Sequence, residues 1–296
     1  MRLLALVPAA LVLYTSTLAA ANPVTSEFTN RGCSTTETDE VKASVEEEFR
    51  ALKLKKTVSA LETFPPIDVY FHVVMKNDTV VGGNVTEPSI HAQIDVINAA
   101  YEPSGFQFKL KEITRNVNST WFTDVATGNA IQDEMKQVLR KGGIRDMNIY
   151  SVGFENEKMA HELGYATYPW AYAKSPQDDG VVIRHSSVPG GAAKNFDLGH
   201  TVTHEAGHWL GLWHTFQGGC GGTGDEVDDT PPEASAADGC PVGRDTCQDD
   251  KGFDPIHNFM DYSVDACMSE FTPGQGARMR AQFAVYRLQP KQIDIL

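Results

Sequence analysis

The 296-residue sequence predicts an α+β protein: an α/β-like upper part with a mixed, twisted sheet and a histidine-bearing helix, over a loop-rich lower part. Three observations lead to that class. Short β-branched and aromatic runs alternate with helical periodicity as far as His185. The stretch from Gly218 to Asp254 is rich in Gly and Asp, contains cysteines and has few apolar side chains. Thr272-Pro273 then reads as the cap and first residue of a closing helix.

Taken in order, the chain opens with Arg2, an apolar stretch from Leu3 to Leu13 and small residues at Ala19, Ala20 and Ala21. That is the pattern of a secretory signal peptide, assigned to residues 1–20. Residues 21–60 are set apart as a pro-segment. Glu37 to Glu40 and Glu46 to Glu48 make it acidic, and Lys53 to Lys56 turn it basic, a composition that suits a short helix or flexible arm better than a core element. Pro65-Pro66 marks a boundary, and residues 61–296 are read as one domain.

Within that domain Ile67 to Met75 reads as a buried strand. Ile90, Ile94, Ile97 and Tyr101 share one face of a helix expected from about Pro88 to Tyr101. Phe106, Phe108 and Leu110 alternate as a strand does. Ile131, Met135, Val138 and Leu139 predict a second helix, closed by Gly142-Gly143. Met147 to Val152 and Val181 to His185 are further strands, a helix follows around Leu198 to Leu212, and the last helix runs through Tyr286.

A formal net charge of -14 and a pI near 5.0 argue against nucleic acid or an anionic membrane surface as partner. They favour solubility; the signal peptide predicts an extracellular protein, and a monomer is expected. Three sequons, at Asn77, Asn84 and Asn118, agree with export and mark candidate glycosylation sites. Of five cysteines, Cys220, Cys240, Cys247 and Cys267 cluster late and are expected to form two disulfides, by one of three pairings. Cys33 is left over, and is free, intermolecular or a metal ligand.

The informative stretch is His204-Glu205-Ala206-Gly207-His208-Trp209-Leu210-Gly211-Leu212-Trp213-His214. Histidines four apart project from one helix face, one turn apart, so both imidazoles can reach one ion. Gly211 lets the chain leave the helix in a left-handed turn that returns His214 as a third ligand. Three neutral imidazoles leave one position of a tetrahedral zinc open for water, the catalytic arrangement. Glu205, on the same helix, is placed to take a proton from that water and later deliver one to the leaving amine. His200 lies one turn earlier, too far along a straight helix to share the ion, and is read as a supporting or structural residue.

The extended motif resembles that of the metzincin metallopeptidases, and more closely the pappalysin family with its short secreted fungal members. Asn258-Phe259-Met260-Asp261-Tyr262 and Gly224-Asp225-Glu226-Val227-Asp228-Asp229-Thr230-Pro231 carry the closer likeness. The resemblance implies a metzincin-like fold and an extracellular zinc endopeptidase acting on proteins or peptides. It makes Met260 the hydrophobic floor under the zinc ligands and gives the Tyr262 hydroxyl a place near the metal. It pairs Cys220 with Cys247 and Cys240 with Cys267, and puts a structural calcium near Asp225, the Val227 carbonyl and Thr230. It also offers Cys33 as an inhibitory zinc ligand in a zymogen. Two other functions fit the ligands alone: a zinc-binding recognition protein without turnover, and a hydrolase of small amides or esters. Glu205 speaks against the first, since recognition needs no carboxylate beside the metal.

Overall fold

A computed structural model describes residues 30–55 and 64–288; the expected signal peptide lies outside them, and so does part of the expected pro-segment. Helix α1 (Asp39–Lys55) belongs to the N-terminal arm. The domain then runs β1 (Ile67–Met75), α2 (Glu87–Tyr101), β2 (Phe108–Val117), α3 (Ser119–Asp124), α4 (Ala130–Leu139), β3 (Met147–Val152), β4 (Gly164–Ala166) and β5 (Val181–Arg184). Helices α5 (His200–Trp209) and α6 (Pro273–Tyr286) follow, separated by a long irregular stretch.

The five strands form one sheet in the order β2-β1-β3-β5-β4. All neighbours are parallel except β4, which runs antiparallel to β5 at one edge. Strand β3 is buried along its whole length, as parallel strands covered on both faces are. The period of two divides side chains between the faces. Val69, Phe71, Val73 and Ile149 join α2, α5 and α6 in one core, with Ile90, Ile97, Trp209 and Phe283. Val74, Tyr150 and Val152 join α3 and α4 in the other, with Phe122 and Met135. The histidine helix therefore lies against the sheet, beside edge strand β4.

The lower part, from Leu210 to Thr272, has no strand pairing beyond one isolated bridge and only one short 3-10 turn, Asp265–Cys267. Cys220–Cys247 and Cys240–Cys267 cross-link it. A buried polar knot adds to them: Arg244 lies 3.0 Å from Glu233 and 2.7 Å from Asp254, and Thr215 donates to Glu233 at 2.6 Å.

Several expectations need correction. The arm is no mere solvated appendage, because Arg31, Cys33, Val45, Glu46 and Phe49 are all buried against the domain. Val138, expected on the apolar face of α4, is exposed, so that face consists of Met135 and Leu139 with Ile131 partly buried beside them. Helix α5 is shorter than Leu198 to Leu212, since Gly199 and Gly211 both take left-handed φ, +93° and +96°. Strand β4 is three residues long and α3 six, both too short for a periodicity signal.

Candidate metal centre and active site

Helix α5 carries His204 and His208 on one face, and the Gly211 turn brings His214 back beside them. At Gly211 a Cβ would stand 2.6 Å from Gln282 Cγ, so glycine is required by space as well as by φ. His208 Nε2 lies 3.3 Å from His204 Nε2 and 3.0 Å from His214 Nε2. The far nitrogens are tied down: His204 Nδ1 meets the Phe259 carbonyl at 2.7 Å, and His208 Nδ1 the Leu212 carbonyl at 2.8 Å. An Nδ1–H donated to a carbonyl leaves the Nε2 lone pair facing inward, the tautomer a metal requires. Burial pulls all three imidazoles down, His208 to about 4, so each is neutral.

A fourth donor comes from the arm. Cys33 Sγ lies 3.6 Å from His208 Nε2, and the four donor atoms of Cys33, His204, His208 and His214 all fall within 4.8 Å of one another. Tetrahedral zinc with its usual bond lengths needs N···N near about 3.3 Å and N···S near about 3.5 Å. The donor set fits that ion.

Glu205 is buried beside the cluster, and its Oε2 receives the Cys33 thiol at 3.5 Å and the Thr35 hydroxyl at 3.2 Å. Burial pushes its carboxyl up to about 8, against the hydrogen bonds from Cys33 and Thr35. Gly164 makes room for it: a Cβ there would stand 2.9 Å from Glu205 Oε1. Met260 is fully buried beneath the helix, and a Cβ at Gly207 would meet its sulfur at 2.4 Å. The Asn258 side chain fixes this turn, accepting from Met260 N at 2.9 Å and exchanging hydrogen bonds with Gln275. Tyr262 sits edge-on to His214, 5.1 Å between ring centres, and its hydroxyl donates to the Cys33 carbonyl at 3.2 Å. His200 stays off the cluster and packs on Phe259.

The arm meets the sheet edge through one isolated parallel bridge, Cys33 with Gly164. Leu163 N donates to Gly32 O at 2.8 Å and Ser34 N to Gly164 O at 3.2 Å, along the free edge of β4. Two residues before the thiol, Arg31 plunges into a closed pocket. Its guanidinium donates to Asp265 Oδ1 at 2.5 Å and to the Ser263 carbonyl at 3.4 Å, and lies over the Phe196 ring. Asp265 is oriented from behind by Leu198 N, at 2.8 Å. No spacing rule links Arg31 to a partner 234 residues away, so Asp265, Thr35 and Gly164 carry no signal in the sequence.

The other expected sites are dispersed. Asp225 and Thr230 lie in the lower loops, where Asp225 Oδ2 and Thr230 Oγ1 are buried without a hydrogen-bond partner. Burial pushes the Asp225 carboxyl up to about 7. Asn77 is exposed, whereas Asn84 Nδ2 is engaged by Asp78 at 2.6 Å and Asn118 caps α3. No helix among the described residues is long and apolar enough to cross a membrane.

Comparison with known proteins agrees with this geometry. The peptidase family described as pregnancy-associated plasma protein-A matches residues 135–284. An extracellular metalloprotease of Sordaria macrospora is 48% identical over 224 residues, 75% of either chain. One of Pyricularia oryzae is 47% identical over 232 residues, covering 78% of this chain and 79% of its own. Among solved structures, a promirolysin variant of Tannerella forsythia superposes with a TM-score of 0.70 at 28% identity, over 87% of this chain and 95% of its own. Mature mirolysin of the same organism, in complex with a cleaved peptide, gives 0.60 at 27% identity, over 78% and 98%. With half of its length in the family match and these relatives beside it, the chain belongs to the pregnancy-associated plasma protein-A family of metallopeptidases.

Proposed function

We propose that the chain is a secreted zinc endopeptidase made as an inactive precursor. In this reading His204, His208 and His214 hold the metal, Glu205 is the general base, and Cys33 is the ligand that keeps the enzyme inactive. The observation that carries it is the convergence of three Nε2 atoms and one thiol around a single point, with Glu205 at its edge. The match to promirolysin, a pro-form by its name, extends over 87% of this chain; that to mature mirolysin extends over 78%. The difference suits an arm present in one form and absent from the other.

Zinc held there would polarise a peptide carbonyl and lower the pKa of water. The rest falls to the protein. Once the arm leaves, Glu205 loses the Cys33 and Thr35 donors and is free to accept a proton from water and pass one to the leaving nitrogen. Tyr262, which now donates to the Cys33 carbonyl, can donate to a substrate carbonyl as charge develops on its oxygen. The edge of β4, which now holds the arm, can receive an extended peptide instead. With Arg31 gone, Asp265 loses its cationic partner, and the vacated site selects substrates bearing a basic side chain. Asp225, Thr230 and the Val227 carbonyl offer oxygens for a structural calcium, consistent with two partnerless buried oxygens there. Asn77 is the sequon most open to a glycan, with Asn84 and Asn118 partly engaged.

Casein digestion by the arm-free enzyme tests the reading. We expect activity that a chelator abolishes, zinc restores and Glu205→Gln removes. Metal binding without turnover would support the recognition protein instead, and cleavage confined to small amides would support the third reading.

A further inference from the structure

The arm touches the domain at a second place, away from the metal. Helix α1 lies along α6, with Phe49 buried between Ala281 and Val285 and stacked on Tyr286 at 6.1 Å. One turn earlier, the Glu46 carboxylate enters a closed site. Trp213 Nε1 donates to Oε1 at 2.8 Å, and Arg278 grips both oxygens, with its Nη1 3.2 Å from Oε2 and its other terminal nitrogen on Oε1. All three side chains are less than a tenth exposed. Burial alone would push Glu46 up, but Arg278 and Trp213 override it and leave the carboxyl below its usual range. Arg278 is itself pinned from the other side, its Nε donating to the Gly211 carbonyl at 2.9 Å. The site is thus built on the turn that carries His214, not on the arm.

Removing the arm strips the indole N–H and two guanidinium N–H groups of their acceptor. Their burial is that of the arm-bound state, so departure of α1 opens them to water or to another acceptor. A planar guanidinium fork joined by one indole donor matches a carboxylate better than a neutral amide. Around it, Lys42 reaches the Gly224 carbonyl and Arg50 pairs with Glu226 at 3.0 Å, so α1 has its own footing on the lower loops.

We propose that Arg278 and Trp213 form a carboxylate-binding site whose occupant is Glu46, and that through it the severed arm binds back to the mature enzyme and inhibits it even without the Cys33 thiol. This rests on reading the arm as a pro-segment. It adds a docking site that acts independently of the metal.

The test titrates enzyme from which the arm has been cleaved and separated with synthetic peptides spanning residues 30–55. Four peptides serve: the natural sequence, Cys33→Ser, Glu46→Gln and the double change. Because every change is in the peptide, the enzyme is the same in each titration. Proteolysis gives the inhibition constant and calorimetry gives binding. The natural peptide should inhibit, and Cys33→Ser should inhibit more weakly but measurably. Glu46→Gln should weaken binding by about tenfold to a few hundredfold in either background. Equal binding of the natural and Glu46→Gln peptides would overturn the proposal, as would loss of all inhibition with Cys33→Ser. A natural peptide that binds, with the Glu46 dependence intact, yet leaves proteolysis unchanged would instead sink the pro-segment reading and leave the docking site standing.

Discussion

Two segments meet at the metal centre by opposite routes. From His204 to His214 the proposed ligands lie within eleven residues of continuous chain, placed by one helix and one glycine turn. The arm reaches the same point from residue 33, and its anchors lie at Asp265, Arg278 and Trp213, far away in sequence. The first is a local construction with the sheet as its wall. The second is held by two buried charged contacts of opposite polarity, Arg31 to Asp265 and Glu46 to Arg278. In the proposed reading chemistry belongs to the local part and control to the arm.

The comparison is open to attack on both sides. The largest effect is expected for Glu205→Gln in the arm-free enzyme. A general base contributes about 10²–10⁴-fold, so turnover should fall by that range while metal content by elemental analysis stays unchanged. Gly207→Ala tests the local side structurally. Its Cβ would stand 2.4 Å from the Met260 sulfur, and overpacking of this kind costs about 1–3 kcal/mol, readable in denaturant unfolding. Asp265→Ala tests the pocket that Arg31 fills. In a peptide library kcat/KM for substrates with Arg or Lys should drop about tenfold or more relative to neutral ones, and an unchanged ratio would remove Asp265 from specificity. The smallest effect concerns the carboxylate cluster that accepts from Thr215, the residue after His214.

There Glu233 is buried with Asp261 and Asp254 against the single cation Arg244, and burial together with Asp261 pushes its carboxyl up to about 8. A raised carboxyl holds its proton in the folded state after the unfolded chain has released it, so stability should fall as pH rises from about 4.5 to about 8. Glu233→Gln should flatten that part of the stability–pH curve. A curve with the same slope in the variant would place the pH dependence elsewhere.

The same contrast explains what can be read from the chain. The histidine helix, its glycine exit and the strands Ile67–Met75 and Met147–Val152 are legible because each is set by neighbours within a few residues. Thr272-Pro273 marks the start of α6 through its cap, and Gln275 completes the capping box. Asp265, Gly164 and Thr35 are not legible, since each matters only through a contact made across the fold. The arm reads as a short helix or flexible segment because Glu46, in the run Glu46 to Glu48, looks like a surface charge until its buried partner is known. Charge runs report average exposure, and Glu46 departs from the average.

The central claim is that one point binds three imidazoles and, in the full chain, the Cys33 sulfur. X-ray absorption at the zinc edge of the zinc-loaded full chain tests it directly. The expected shell is three nitrogens near about 2.0 Å with one sulfur near about 2.3 Å, the sulfur disappearing when the arm is removed. A full-chain spectrum with nitrogen and oxygen only, unchanged by removal of the arm, would contradict it.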